Sequence, residues 1–182
     1  MKRKYFFILT LAVLLLSAFT ITTVWKADEK TSTINWKASG HKGSFDNLIS
    51  TIDFDKTKLK ESRLNAFIEV KTLKADDESV KAHLLSSDYF DAEKFPKISF
   101  MSTAITSGSK GFVAKGNLTM KNSTKLIEFP FTFKEDGTEK ATFSGTMTIN
   151  AADYGVTKKK VDVVIYLVIP VSKGMSWQDM SK

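Results

Sequence analysis

Between Thr31 and Val171 the chain repeatedly alternates apolar and polar side chains, and a two-residue period of that kind belongs to half-buried β-strands. Ile34 and Trp36 alternate with Thr33, Asn35 and Lys37 before the Ser39–Gly43 turn. Phe45 and then Leu48 to Phe54 give a second strand, and Leu64, Ala66, Ile68 and Val70 a third. The fourth and fifth, Pro96 to Thr106 and Gly111 to Lys121, flank a Ser107-Gly108-Ser109-Lys110 hairpin loop. The sixth, Leu126 to Lys134, places Ile127, Phe129, Phe131 and Phe133 on one face, with Pro130 on the other parity marking an edge, a bulge or a strand end. Ala141 to Ile149 is the seventh. The eighth, Val161 to Val171, is apolar on both faces from Val163 to Ile169, so it should be covered on both sides by the helix, a chain terminus or a second copy. On the fourth strand, Ile98, Phe100, Ser102 and Ala104 are expected to share one face.

One stretch breaks the pattern. Asp76-Asp77-Glu78 supplies an N-cap and an acidic first turn, and Val80 and Leu84 follow at helical spacing, which predicts one short helix from about Asp76 to Ser86. Beyond Pro96 the period returns to two. The intervening knot carries Tyr89, Phe90 and Phe95, three large rings that a globular chain normally buries. Leu84, Tyr89, Phe90 and Phe95 are therefore assigned to a lid or corner. Eight antiparallel strands with short turns, and one helix inserted between the third and fourth, describe an all-β up-and-down barrel, which also removes exposed sheet edges. By parity, Ile68, Ile127, Phe129, Phe131, Phe133, Phe143 and Met147 face its interior.

Lys2-Arg3-Lys4 followed by the apolar run Tyr5 to Phe19 reads as a targeting segment, within a leader or anchor taken as residues 1–27. The expectation is an extracytoplasmic domain, periplasmic or secreted, either released by cleavage or retained by an anchor running from Tyr5 to Trp25. Residues 31–172 form the barrel and 173–182 a tail. Without cysteine, thiolate metal sites and cysteine nucleophiles are excluded. Removing the three basic leader residues lowers the net charge from +7 to +4 and leaves Arg63 as the single arginine, which does not fit a nucleic-acid module. Lys158-Lys159-Lys160 reads as a solvated turn, with contact to anionic lipid as the alternative. His41 and His83 lack a nucleophile-elbow motif, and Asp76-Asp77-Glu78 lacks the spacing of a calcium loop. No catalytic constellation and no metal or cofactor site is read.

Fourteen phenylalanines, many of them at strand positions of one parity, read by composition alone as an ordinary filled core. Motifs change that reading. His83-Leu84-x-Ser86-x-Asp88-Tyr89-Phe90-Asp91, followed by Phe95-Pro96-x-Ile98-x-Phe100, resembles the signature of the YceI-like family of extracytoplasmic polyisoprenoid-binding proteins. Thr33 to Trp36 with His41 and Gly43-x-Phe45, Gly116 to Lys121, and Gly145-x-Met147-x-Ile149-Asn150 with Asp153-Tyr154-Gly155-Val156 resemble its other segments, in order. One departure is visible: Ala151 or Ala152 stands where the last segment usually has Arg, so no role of that Arg is carried over. The resemblance implies an eight-stranded antiparallel lipocalin-like β-barrel. It implies non-enzymatic binding of a long-chain isoprenoid or isoprenoid-quinone-like lipid in the lumen, with membrane contact and a homodimer as possible associations and no nucleic acid. The rival reading is an envelope protein-interaction module with a filled barrel.

Overall fold

The computed structural model describes residues 23–174. The leader's basic and apolar residues and the tail from residue 175 lie outside the described residues. Eleven strands form one sheet: β1 (Val24–Ala27), β2 (Thr33–Ala38), β3 (His41–Phe45), β4 (Ile49–Asp53), β5 (Arg63–Glu69), β6 (Leu73–Ala75), β7 (Lys97–Gly108), β8 (Gly111–Met120), β9 (Ser123–Asp136), β10 (Lys140–Asn150) and β11 (Asp162–Lys173). They make eight staves, because β1/β2, β3/β4 and β5/β6 are each one stave broken in two. The first break is an Asp28 turn, whose Oδ1 accepts from the amides of Lys30 and Thr31. The second holds Asn47 at φ 56. The third is a 3-10 turn, Val70–Thr72, in which the Thr72 hydroxyl donates to Asp46 O and so ties it to the second break.

Closure falls on β11. It pairs with β10 from Asn150↔Asp162 to Lys140↔Ser172, and its other edge takes β2 near one end and β1 near the other. The remaining neighbours run β1–β4–β5–β7–β8–β9–β10 on one side and β2–β3–β6 on the other, all antiparallel. The result is the closed eight-stave barrel that the strand count and turn chemistry led one to expect.

Several expectations change in detail. The barrel starts at Val24 rather than Thr31: Trp25 is 4% exposed and packs in the core, so it cannot belong to a membrane-spanning anchor. Within the Asp76-Asp77-Glu78 run it is Asp77 that caps the helix α1 (Glu78–Leu85), accepting from the amides of Ser79 and Val80, so the helix begins two residues later than Asp76. In β7 the register shifts between Ser102 and Ala104, so Ile98, Phe100 and Ser102 face inward but Ile105 replaces Ala104 on that face. The extra residue, Thr103, is a β-bulge, invisible to simple alternation. Pro130 marks a strand end on one side only: its carbonyl faces β10, and the β9–β10 ladder stops at Phe131↔Gly145. Proline has no N–H to donate there, while the β8–β9 ladder on the other edge continues without a shift.

The outer face of β11 is not covered by α1 or by another described segment. Tyr166 and Val168 are 37% and 42% exposed. Across the sheet each sits between polar neighbours, Asn35 and Thr146 for Tyr166, Thr33 and Ser144 for Val168, which confines the outward apolar residues to a stripe one strand wide, and the Lys37 ammonium lies 5.4 Å from the Tyr166 ring centroid.

Inside, apolar side chains form two clusters at opposite ends. The end where the described chain starts and stops is plugged. Phe54, 1% exposed, stands edge-on to Phe112, Phe131, Phe133 and Phe143 at centroid distances of 4.9 to 5.7 Å. Trp25 Nε1 donates to Phe54 O at 3.1 Å. Such edge-to-face pairs add about 0.5–1.5 kcal/mol each beyond burial. Phe54→Ala is expected to cost about 3–5 kcal/mol, read as a lowered urea midpoint at unchanged slope; a shift below about 1 kcal/mol would contradict the plug.

Candidate functional site

The side chains do not fill the barrel. Above the Phe54 plug lies a cavity of about 850 Å³, blind at the plugged end and opening at the end that carries α1. Its wall is built by strand parity, and glycine lets two large rings lie flat against it. At Gly43 a Cβ would stand 2.6 Å from the Trp36 ring and 1.9 Å from Lys74 O; at Gly116 it would stand 2.6 Å from the Phe100 ring. The Trp36 indole and Ser50 are buried polar interruptions of the wall, Trp36 Nε1 and Ser50 Oγ having no hydrogen-bond partner among the described residues.

Of the residues assigned to the interior by parity, Ile68, Phe129, Phe131, Phe143 and Met147 lie on the cavity wall. Ile127 faces inward but packs between the two clusters without reaching it. Phe133 belongs to the plug, its ring 5.3 Å from Trp25 and 4.8 Å from Phe143. At the mouth, Leu84, Tyr89 and Phe90 border the cavity, with Phe90 edge-on to Phe45 at 6.3 Å and Tyr89 4.3 Å from the His83 ring. Phe95 does not border it; its ring lies beneath the ammonium groups of Lys94 and Lys121.

Sequence reading missed the opposite wall and the latch. Trp36, Ile165 and Leu167 line the cavity from β2 and β11. For β11 the signal was ambiguous, because both of its faces are apolar. Lys121, at φ 51 in the β8–β9 turn, sends its ammonium back over the mouth to donate to Tyr89 O and, at 3.1 Å, to Gly155 O. One cation thus joins the aromatic corner to the turn before β11. Nothing in the sequence around Lys121 signals this, since the partners are backbone carbonyls.

The rim is polar: Ser39, His41, His83, Asp88, Lys158 and Lys159 border the opening. His41 Nδ1 lies 3.2 Å from Asp76 Oδ1, which occupies both groups in bracing the β2–β3 turn against the start of α1. The Ser79 hydroxyl, with the Ser79 and Val80 amides, holds the Asp77 carboxyl below its ordinary value. Burial, with a contribution from Asp153, pushes the Tyr154 phenol up to about 12, so it stays neutral at physiological pH. Among the described residues no group of His, Asp and Glu side chains is placed to hold a metal ion.

A closed antiparallel barrel with a blind, apolar, one-mouthed lumen defines a lipocalin-like binding fold. The YceI-like domain profile matches residues 25–173, and the chain belongs to that family. A UPF0312 protein of Pseudomonas putida strain GB-1 is 31% identical over 170 residues, covering 86% of this chain and 88% of the relative. Among solved structures, Burkholderia cenocepacia BcnA superposes with a TM-score of 0.71 at 22% identity, covering 78% of this chain and 98% of that one. A polyisoprenoid binding domain from Saccharophagus degradans does so with a TM-score of 0.67 at 11% identity, covering 84% and 99%.

Two outcomes are expected at the mouth. Lys121→Met keeps the stem but removes the charge-assisted bonds, and should lower stability by about 1–3 kcal/mol while accelerating amide exchange across residues 86–96; unchanged exchange there would show the latch to be idle. A carboxyl with a depressed folded pKa stabilises above its unfolded value of about 3.9 and loses that contribution as pH falls through the folded value. The Ser79 and Val80 amides should therefore lose protection below about pH 4 before the barrel strands do.

Proposed function

We propose that this chain is a non-enzymatic carrier that holds a long-chain isoprenoid lipid in its lumen outside the cytoplasm. The observation that carries the reading is the blind apolar cavity of about 850 Å³. Its size lies in the upper part of the usual range of ligand pockets, about 300–1,000 Å³. Filled with water it would hold on the order of 30 molecules at liquid density, most of them facing side chains that offer no hydrogen bond. A hydrocarbon needs none, and each buried methylene-sized group contributes about 0.8 kcal/mol. The elongated shape, from Phe131 and Phe143 beside the plug to Tyr89 at the rim, suits a chain rather than a compact ring system. The Saccharophagus degradans neighbour, a polyisoprenoid binding domain, supports the same ligand class. The side chains bordering the lumen offer no nucleophile and base in contact, which favours carriage over turnover. Export is supported by the leader sequence, Lys2-Arg3-Lys4 and the apolar run after it.

Mass spectrometry of lipid extracted from protein purified from its native envelope is expected to give an isoprenoid species in near-stoichiometric amount. Protein that carries no lipid and takes up none when offered prenyl lipids would overturn the reading. Phe129→Trp sharpens the test, because Phe129 stands on the wall 5.3 Å from Phe100. The larger ring has lumen space to enter, so it should weaken prenyl-lipid uptake while leaving the empty barrel nearly as stable. In a filled core the same change would destabilise by about 1–3 kcal/mol.

A further inference from the structure

A lipid tail that moves between a bilayer and a closed lumen must avoid water, since each exposed methylene costs roughly a fourfold factor in partition. Exit through the plugged end is blocked by Phe54 and the rings around it. The described chain also enters and leaves at that end, where Gly174 N donates to Val24 O at 2.8 Å, so among the described residues neither chain end lies at the mouth. We propose that the mouth docks directly on an anionic phospholipid surface, with Lys158, Lys159 and Lys160 as the contacts that orient it. The proposal rests on the carrier reading only for its purpose; the surface itself is read from the charges.

Those charges are arranged for an external partner. Lys158 and Lys159 border the opening, all three lysines are exposed, and none takes part in an ion pair among the described residues. The turn that carries them is fixed from both sides. Thr157 Oγ1 donates to Lys159 O, Lys121 holds Gly155 O, and Ala151 N donates to Val161 O. The carboxylates across the mouth are largely engaged within the protein: Asp76 with His41 and the Lys42 amide, Asp77 as the α1 cap, Glu78 with Lys81. Asp88 is the carboxylate that remains on the rim, and the exposed Asp153 and Asp162, without an ion pair among the described residues, flank the lysine turn and leave it a net positive charge of one. Each lysine close to an anionic surface contributes roughly a fivefold factor in partition, so three give about a hundredfold, enough to orient a barrel and still release it.

The chain contains no cysteine, so single labels can be placed at will. Ser39→Cys puts a polarity-sensitive fluorophore at the mouth, and Thr138→Cys puts one in the turn at the plugged end. Full-length protein carrying either label is titrated with phosphatidylcholine vesicles and with vesicles containing phosphatidylglycerol. The expected result is a blue shift of the Ser39→Cys label that requires phosphatidylglycerol, disappears in 1 M salt, weakens about a hundredfold when all three lysines are changed to Gln, and returns when they are changed to Arg. The label at Thr138→Cys should show no lysine-dependent response, whether or not the leader is inserted. A mouth response equal on both vesicle types, one that survives the Gln changes, or a lysine-dependent response at Thr138→Cys would overturn the docking proposal. Lipid content measured on the same samples separates the two claims. Lysine-dependent docking by a barrel that carries no lipid and takes up none when prenyl lipid is added to the same vesicles supports docking and refutes the carrier, whereas a lipid-filled barrel that ignores the lysines refutes docking alone.

Discussion

The hydrogen bonding of β11 governs everything else in this molecule. With β10 along one edge and both β2 and β1 along the other, it turns an open meander into a barrel, and a barrel of eight staves is the size at which the interior is either just filled or holds one ligand. Which of these occurs depends on where the large rings fall. Phenylalanines from β8, β9 and β10 converge with Phe54 and Trp25 at one end and close it. Toward the other end the staves carry mainly Ile, Leu, Met and Gly at inward positions beside Trp36 and Phe45, and space remains. Closure and plug together create one compartment with one door.

The eight staves and the inserted helix are legible in the alternation of side chains, because burial on one face enforces a two-residue period. That alternation does not reveal that three staves are broken. The breaks depend on a turn capped by Asp28, on Asn47 at positive φ and on a hydrogen bond from Thr72 to Asp46, none of which alters the apolar pattern. The bulge at Thr103 escapes for the same reason, and it reverses the facing of Ile105. At Pro130 the chemistry is readable and the consequence is specific: a ladder ends on one side of β9 alone.

For the site, parity locates much of the wall but does not separate lumen from plug. Phe129 and Phe133 share a face of β9, and only the height along the stave puts one beside open space and the other against Trp25. Height depends on closure, a long-range property that no local pattern carries. The mouth shows the same limit. Tyr89 and Phe90 stand out as rings demanding burial, whereas Lys121, which holds the corner they occupy, looks like an ordinary turn lysine because its partners are carbonyls of distant residues. Trp25 escapes at the other end, where it lies next to a leader-like segment and yet belongs to the barrel core.

Carriage as proposed requires the lumen to be a compartment for one extended hydrocarbon chain, entered at the mouth. The most direct measurement is a crystal structure of the protein saturated with a long-chain prenyl lipid. Continuous density is expected from beside Phe131 and Phe143, past Phe129, Met147 and Leu167, to the rim between Tyr89 and Lys159, with the plug around Phe54 unchanged. A lumen occupied by its own side chains, with the lipid elsewhere or absent, would contradict it.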